Sequence, residues 1–125
     1  MGLTGDAAIV GLVELAPERH SSAAPTLTLE QWMRLAKGAL DDAGIPPGMV
    51  DGIVTSSIRE SASFVPSTLA EYLGIPVDFA EFVDLGGATS AGMVWRAAAA
   101  IELGAAQVVL CVAPGGLLPR ERNHE

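Results

Sequence analysis

The chain has 125 residues, half of them hydrophobic and only 18% charged, with a net charge of −8. That length supports one compact domain with a real core, and the composition excludes a disordered polymer or a solvated helical rod. The acidic balance comes without a basic cluster, which argues against nucleic acid and anionic lipid as partners.

The single cysteine, Cys111, cannot close an internal disulfide, so a reducing compartment, the cytoplasm, is the expected location. The first residues lack the basic start and long apolar run of a signal peptide. A myristoylation pattern from Gly2 also fails, because Asp6 stands where Ser or Thr is required. Residues 95–103 form the longest apolar stretch, but Arg96 and Glu102 interrupt it and no membrane span is expected.

Residues 7–15, AAIVGLVEL, are a short β-branched run that predicts a buried strand, with Gly11 in close backbone contact. A dinucleotide fingerprint is excluded, since a polar segment and not a helix follows. Residues 17–25 read as a loop. Thr28 then opens a helix, with Gln31 at capping-box spacing. Leu29, Trp32, Met33, Ala36, Ala39, Leu40 and Ala43 recur at intervals of three and four and form one apolar stripe. Gly44 suits a left-handed cap, and Pro46 and Pro47 prevent continuation.

Residues 50–56 are a second strand candidate. A polar loop through residues 59–64 leads to a short helix over 67–73, closed by Gly74 and Pro76. Residues 77–85 predict a third strand, 90–103 a long helix and 107–113 a fourth strand. Residues 114–125 form an irregular tail without periodicity. The order βαβαβαβ favours an α/β fold with a mostly parallel sheet flanked by helices.

The sequence between the third strand and the long helix, Gly86-Gly87-Ala88-Thr89-Ser90, carries the functional signal. Glycine lets a ligand approach the backbone, and the helix that follows directs its first amides and positive dipole end at that turn. A thioester oxygen, a phosphate or a nucleophile suits such a seat. Its competing reading is an ordinary tight turn that binds nothing. Asp84 is expected to brace the turn and Ser90 to cap the helix.

No cysteine, histidine or lysine lies in residues 81–110, so a reactive group is missing from the seat. Ala88-Thr89-Ser90-Ala91-Gly92 imitates a nucleophile elbow without its first glycine. The histidines, His20 and His124, stand in an early loop and in the tail, which disfavours a serine hydrolase. Met93 and Val94 stand where a P-loop needs Lys and Ser or Thr. Cys111, within an apolar run, reads as a small inert hydrophobe, and no metal site is expected. Trp32 and Trp95 read as packing residues.

The helix over residues 90–103 is apolar all round: Met93, Val94, Trp95, four successive alanines, Ile101 and Leu103 leave almost no polar face. A helix of that kind is expected to be buried on every side. One sheet from this chain covers only one side, so a second domain, subunit or stretch of chain is expected over the other.

The segments ALDDAGIPPGMVDGIV and VDLGGATSAGMVWRAAAAIELG, with the strand after the second, resemble the N-terminal half of thiolase-superfamily proteins. Within that superfamily they look like the lipid-transfer proteins related to sterol-carrier-type thiolases. The resemblance covers residues 7 to about 114 and marks residues 1–113 as a thiolase-like N-terminal half-domain. It implies half of a five-layered αβαβα fold, in which the helix over 90–103 is the buried central helix. It also implies that the strand over 77–85 pairs across a dimer interface.

In a thiolase the acyl-accepting cysteine opens that helix. The matching position here is Gly87, or Ala88 with an offset of one, so the catalytic nucleophile is absent. The resemblance assigns the substrate-side turn to Gly86, Gly87, Ala88, Thr89 and Ser90, with a coenzyme A thioester as substrate and no bound cofactor. Members without the cysteine are similar to retro-aldolases that shorten acyl-CoA side chains beside a small OB-type partner protein. The implied activity is carbon–carbon bond formation or cleavage on lipid or sterol acyl-CoA thioesters. It requires a second half from a homodimer or another chain; a non-catalytic assembly module is the alternative.

Overall fold

The computed structural model describes residues 4–15, 28–56 and 65–114. Three helices, α1 (Thr28–Ala43), α2 (Val65–Leu73) and α3 (Thr89–Glu102), alternate with three strands, β1 (Gly52–Thr55), β2 (Phe79–Phe82) and β3 (Val109–Val112). Two 3-10 turns, Pro47–Met49 and Gly86–Ala88, precede β1 and α3. The α/β reading is borne out. Gly44 and Gly74 close α1 and α2 in the left-handed conformation that their positions suggested (φ +68° and +70°).

The sheet has the order β2-β1-β3, and both pairings are parallel, with Gly52 opposite Phe79 on one side and Val109 on the other. Parallel strands need both faces covered, and the residues of β1 are buried throughout. Ile53 faces a core shared with Trp32, Ala36 and Leu40 of α1, Val65 and Leu69 of α2, and Leu110 and Val112 of β3. Val54 turns the other way, onto Met93 and Ala97 of α3, with Val83 beside them. The molecule is thus a three-layer α/β/α unit. Trp32 is fully buried, and its indole Nε1 finds no hydrogen-bond partner.

Asp51, just ahead of β1, sets the strands level. Its carboxylate accepts the N–H groups of Gln107 (3.0 Å) and Val108 (2.8 Å), while its carbonyl accepts those of Asp78 (2.8 Å) and Phe79 (3.2 Å). One residue therefore gathers the amino ends of all three strands.

Residues 4–15 depart from expectation. They are extended, but they join no ladder, and Ile9, Val10 and Leu12 are exposed. An apolar alternating run becomes a strand only when a neighbour offers it hydrogen bonds, and β3 does not reach it. Side chains hold the segment instead. Leu12 donates its N–H to Asp42 on α1 (2.9 Å), and Glu102 at the end of α3 accepts the N–H groups of Thr4, Gly5 and Asp6 (2.7, 2.8 and 3.1 Å). Gly11 is indeed a close contact: a Cβ there would lie 2.4 Å from the Ala39 carbonyl oxygen.

The second departure is α3. Met93, Ala97 and Ala100 are buried against the sheet, but Val94, Trp95 and Leu103 lie in solvent, Trp95 at 58% exposure. The helix expected to be buried all round, with Trp95 as a packing residue, is covered on one face. The sheet supplies one layer, and no second covers the outer face among the described residues.

Asp51→Ala removes both carboxylate contacts and leaves the Gln107 and Val108 amides without their acceptor. A loss of about 1–3 kcal/mol is expected, read as a fall of roughly 5–15 °C in Tm by circular dichroism. A Tm within 2 °C of the unsubstituted chain, roughly the scale of a neutral surface change, would refute the levelling role.

Candidate functional site

The seat lies beyond the carboxyl end of β2, on the side of a parallel α/β sheet where ligands commonly bind. Gly86, Gly87 and Ala88 form the 3-10 turn, and Thr89 and Ser90 open α3. The structure thus brings all five sequence-predicted residues into one continuous corner. Gly86 takes φ +59°, a conformation that disfavours any other residue. The Ala88 N–H reaches the Leu85 carbonyl at 3.2 Å, and the Thr89 N–H reaches that of Gly86.

Asp84 braces the turn as expected, accepting the Gly86 N–H at 3.2 Å. Ser90 does not cap the helix; the capping position is Ala88, which offers no side-chain bond. The hydroxyl that matters is one residue earlier. Thr89 Oγ1 donates to the Gly86 carbonyl (2.7 Å) and accepts the Leu85 N–H (3.0 Å), tying both ends of the turn to the helix. A chain reversal through positive φ turns the backbone back toward position 89, so its hydroxyl outcompetes Ser90 for those groups. A Cβ at Gly92 would lie 2.4 Å from Leu85 Cδ1, the end of an exposed and flexible side chain, which would have to move aside.

Gly87 is different. It lies outside the positive-φ set, and a Cβ built on it would meet nothing within 4 Å. Neither backbone strain nor packing among the described residues calls for glycine there. The open space above Gly86 and Gly87 faces away from the core, with the amino end of α3 beneath it.

Around this corner, Glu81 on β2 pairs with Arg96 on α3 (2.9 Å), and the Arg96 guanidinium stands 5.8 Å from the Trp95 ring. Cys111 packs its sulfur toward the Met93 carbonyl, 3.8 Å away. Burial pushes its thiol up to about 11, so it is a packing group at neutral pH, as its apolar setting suggested. Among the described residues, no three His, Cys, Asp or Glu side chains cluster as metal ligands, and no helix is long and apolar enough to cross a membrane. His20 and His124 lie outside the described residues, so the serine triad of the hydrolase alternative has no described base.

Sequence reading missed three polar residues that hold this corner in place: Thr89 as a brace, Asp51 as the strand clamp and Glu102 as the anchor of residues 4–6. Thr89 had a local signal in its position after Gly86. Asp51 and Glu102 act on partners more than fifty residues away and left none.

No family model matches the sequence. Over 110 residues the chain is 33% identical to a steroid side-chain-cleaving aldolase of Thermomonospora curvata, covering 87% of this chain and 27% of that protein. Among solved structures, the Ltp2-ChsH2(DUF35) aldolase matches at 29% identity with a TM-score of 0.60, over 78% of this chain and 26% of that one. The acetyl-CoA acetyltransferase of Syntrophomonas wolfei matches at 23% identity with a TM-score of 0.68, over 82% and 27%. A variant of Xanthomonas campestris OleA solved with cerulenin matches at 20% identity with a TM-score of 0.57, over 69% and 27%. These neighbours are thiolase-family proteins, and the last two show the shared fold alone.

The chain is thus similar to thiolase-family proteins over most of its own length. It spans about a quarter of the length of the relatives that it matches.

The raised Cys111 thiol makes a pH prediction. Its unfolded pKa, 9.0, is lower than its folded value of about 11, so the folded state favours the neutral thiol. That contribution is complete below pH 9 and is lost as pH rises toward 11. Maleimide labelling of the native chain should therefore climb about tenfold per pH unit without a plateau up to pH 10. A plateau near pH 9 would show an exposed thiol.

Proposed function

We propose that this chain forms one thiolase-like part of an assembly that cleaves or forms a carbon–carbon bond in acyl-CoA thioesters of lipid or steroid side chains. The observation that carries it is Gly87: an open, side-chain-free position at the amino end of α3, in a chain one-third identical to a side-chain-cleaving aldolase.

In the proposed site the Gly87 N–H and the positive end of the α3 dipole polarise the thioester carbonyl, the Gly86, Ala88 and Thr89 amides being engaged within the turn. Fixed N–H donors of this kind stabilise the enolate oxygen that develops when the carbon–carbon bond breaks. Gly87 leaves room for the thioester and removes the covalent acyl-enzyme route. A retro-aldol step does not need that route. A base takes the proton of the 3-hydroxyl, and a carbonyl forms there as the C2–C3 bond breaks. The electron pair passes into the thioester enolate, which is then protonated at C2. Asp84 is already engaged by the Gly86 N–H, and no base is assigned among the described residues. An OB-type partner protein and a cytoplasmic location complete the proposal.

The exposed outer face of α3 favours an assembly role in the same complex. Val94, Trp95 and Leu103, with Leu85 beside the turn and Phe82 at the end of β2, make a large apolar surface of the kind that marks an interface. The free edge of β2 suits pairing with a second copy. Light scattering of the purified chain is expected to show a dimer or larger species, and a monodisperse monomer at micromolar concentration would remove the self-pairing.

The catalytic proposal is tested with a 3-hydroxyacyl-CoA bearing a cyclic ketone precursor at C3. The chain alone should give no turnover. Inserted in place of the matching segment of the Thermomonospora curvata aldolase, it should release the ketone and a shortened acyl-CoA. Gly87→Val should leave Tm unchanged, since nothing lies near its side chain, yet lower turnover of that chimera by about 10²-fold or more. Unchanged turnover in the variant would place the reaction elsewhere.

A further inference from the structure

Residues 4–15 are fastened to the three-layer core unequally at their two ends. Apolar packing contributes little, since Ile9 and Leu12 are more than 70% exposed and Val10 is 62% exposed. The fastening is polar and uses opposite helix layers. At the end of α3, one carboxylate oxygen of Glu102 accepts the N–H groups of Thr4 (2.7 Å), Gly5 (2.8 Å) and Asp6 (3.1 Å). The Thr4 hydroxyl lies between two carboxylates, 3.1 Å from that oxygen and 2.9 Å from Asp6 Oδ2. At the end of α1, Leu12 donates its N–H to Asp42 (2.9 Å). Gly11 lies so close to α1 that a Cβ would come within 2.4 Å of the Ala39 carbonyl oxygen.

Between these points the chain passes over an apolar cavity of about 630 Å³. Ala7, Ala8, Ile9 and Val10 form one wall, and Met93 and Cys111 are among the residues behind them. Three consecutive N–H groups converge on one oxygen only where the backbone curls, and Gly5 supplies the curl at φ +85°. A single carboxylate holds that curl. The Gly11 end is held by shape as well as by a hydrogen bond. Loss of one carboxylate therefore undoes the first end and leaves the second.

We propose that residues 4–10 are a strap over this cavity, latched by Glu102 and hinged at Gly11 and Leu12, and that loss of the Glu102 carboxylate releases the strap while the three-layer core stays folded. The strap stands on these contacts and the cavity, independently of the catalytic proposal. The charges around the latch leave it to the backbone donors. Asp6 faces Glu102 across the Thr4 hydroxyl with a like charge. Residues 4–15 carry no Lys, Arg or His, and neither do residues 103–108 after α3. The base on α3, Arg96, is paired with Glu81, and Asp41 and Asp42 close α1 at the hinge side. The Asp6 N–H foremost, with the Thr4 and Gly5 donors and against desolvation, holds the Glu102 carboxyl below its ordinary value of 4.5. A carboxyl held low in the folded state makes a contribution that is complete above 4.5 and is lost as pH falls below it.

Amide NMR of the full 125-residue chain and of Glu102→Ala tests the latch, and labelling of Cys111 reads the opening. In the unsubstituted chain at pH 7 the Thr4, Gly5 and Asp6 amide protons should lie downfield, as donors to a charged acceptor do. On acidification they should move upfield together, with one midpoint below 4.5. In Glu102→Ala at pH 7 these three amides should exchange about tenfold faster, while Leu12 and β1 keep their protection. A neutral pyridyl disulfide should modify Cys111 about tenfold faster in the variant, at one pH so that thiol ionisation cancels.

Exchange and labelling in Glu102→Ala equal to those of the unsubstituted chain overturn the proposal, because something other than the carboxylate then holds the segment. Loss of β1 protection together with that of residues 4–6, in the variant or in acid, also overturns it, since the segment then belongs to the cooperative core. If Glu102→Ala does not fold, acid titration of the unsubstituted chain decides. Three amides moving at one midpoint while β1 stays protected support the strap, and a single transition of the whole chain refutes it.

Discussion

Asp51 is the residue on which the rest of the layout depends. Its carboxylate and carbonyl together accept N–H groups from the segments that lead into β2 and β3, so three strands of only four residues begin at one level. Strands that start together and run parallel also end together. Their carboxyl ends then share one side, and the 3-10 turn that follows β2 emerges there with α3 behind it. A slip at Asp51 by one residue would exchange the two faces of β1 and set Val54 against α1 and Ile53 against α3. The clamp thus fixes both the core and the position of the glycine turn.

The sheet it organises is well covered on its faces and open at its edges. Parallel strands have hydrophobic side chains on both sides, and α1 with α2 on one face and α3 on the other satisfy that demand. Among the described residues each outer strand has one free ladder, and no layer lies beyond α3. In a small unit of this type those features are unsatisfied valences. The apolar outer face of α3 and the gap beyond β3 point in different directions, one out of the layer stack and the other along the sheet. The chain shares its thiolase-like fold with relatives about four times as long.

What the sequence disclosed followed the range of the interactions involved. Helix α1 was legible because its stripe, its Gly44 stop and the prolines after it lie within one short window. The same holds for Gly86, whose backbone conformation is a property of the turn itself. Residues 7–15 carry an equally clear apolar pattern, yet a strand needs a neighbour, and no local pattern reveals whether the neighbour is present. The uniform apolarity of α3 predicted burial on every side, whereas its packing against the sheet covers one face and leaves Trp95 exposed. Ser90 looked like the cap from its place before an apolar run. The positive φ of Gly86 redirected the backbone so that Thr89 met the exposed groups first. Asp51 and Glu102 read as solvated acids, because their amide partners are distant in sequence. Glu102 is held below the ordinary carboxylate value by the Asp6 N–H foremost, against a smaller upward push from desolvation, and then by Thr4 and Gly5. Its hold on the segment therefore persists at neutral pH and weakens only as acid protonates it.

On the proposed assignment, Gly87 stands where a thiolase places its nucleophile, and that is compatible with a working site. A cysteine serves acyl transfer, in which a thioester must be held covalently while a second substrate arrives. Cleavage of a 3-hydroxyacyl thioester has one substrate and no acyl group to store. Its barrier lies in the negative charge that collects on the thioester oxygen as the carbon–carbon bond opens. Backbone amides at a helix start meet that need without any side chain, and an added Cβ and thiol only occupy the space where the thioester carbonyl must approach. In the proposed reaction, then, the feature to preserve is the shape of the turn. That shape is secured by Gly86 through its φ and by Thr89 through two hydrogen bonds. Gly87, which none of these constraints requires, is left as the residue whose identity answers to the substrate.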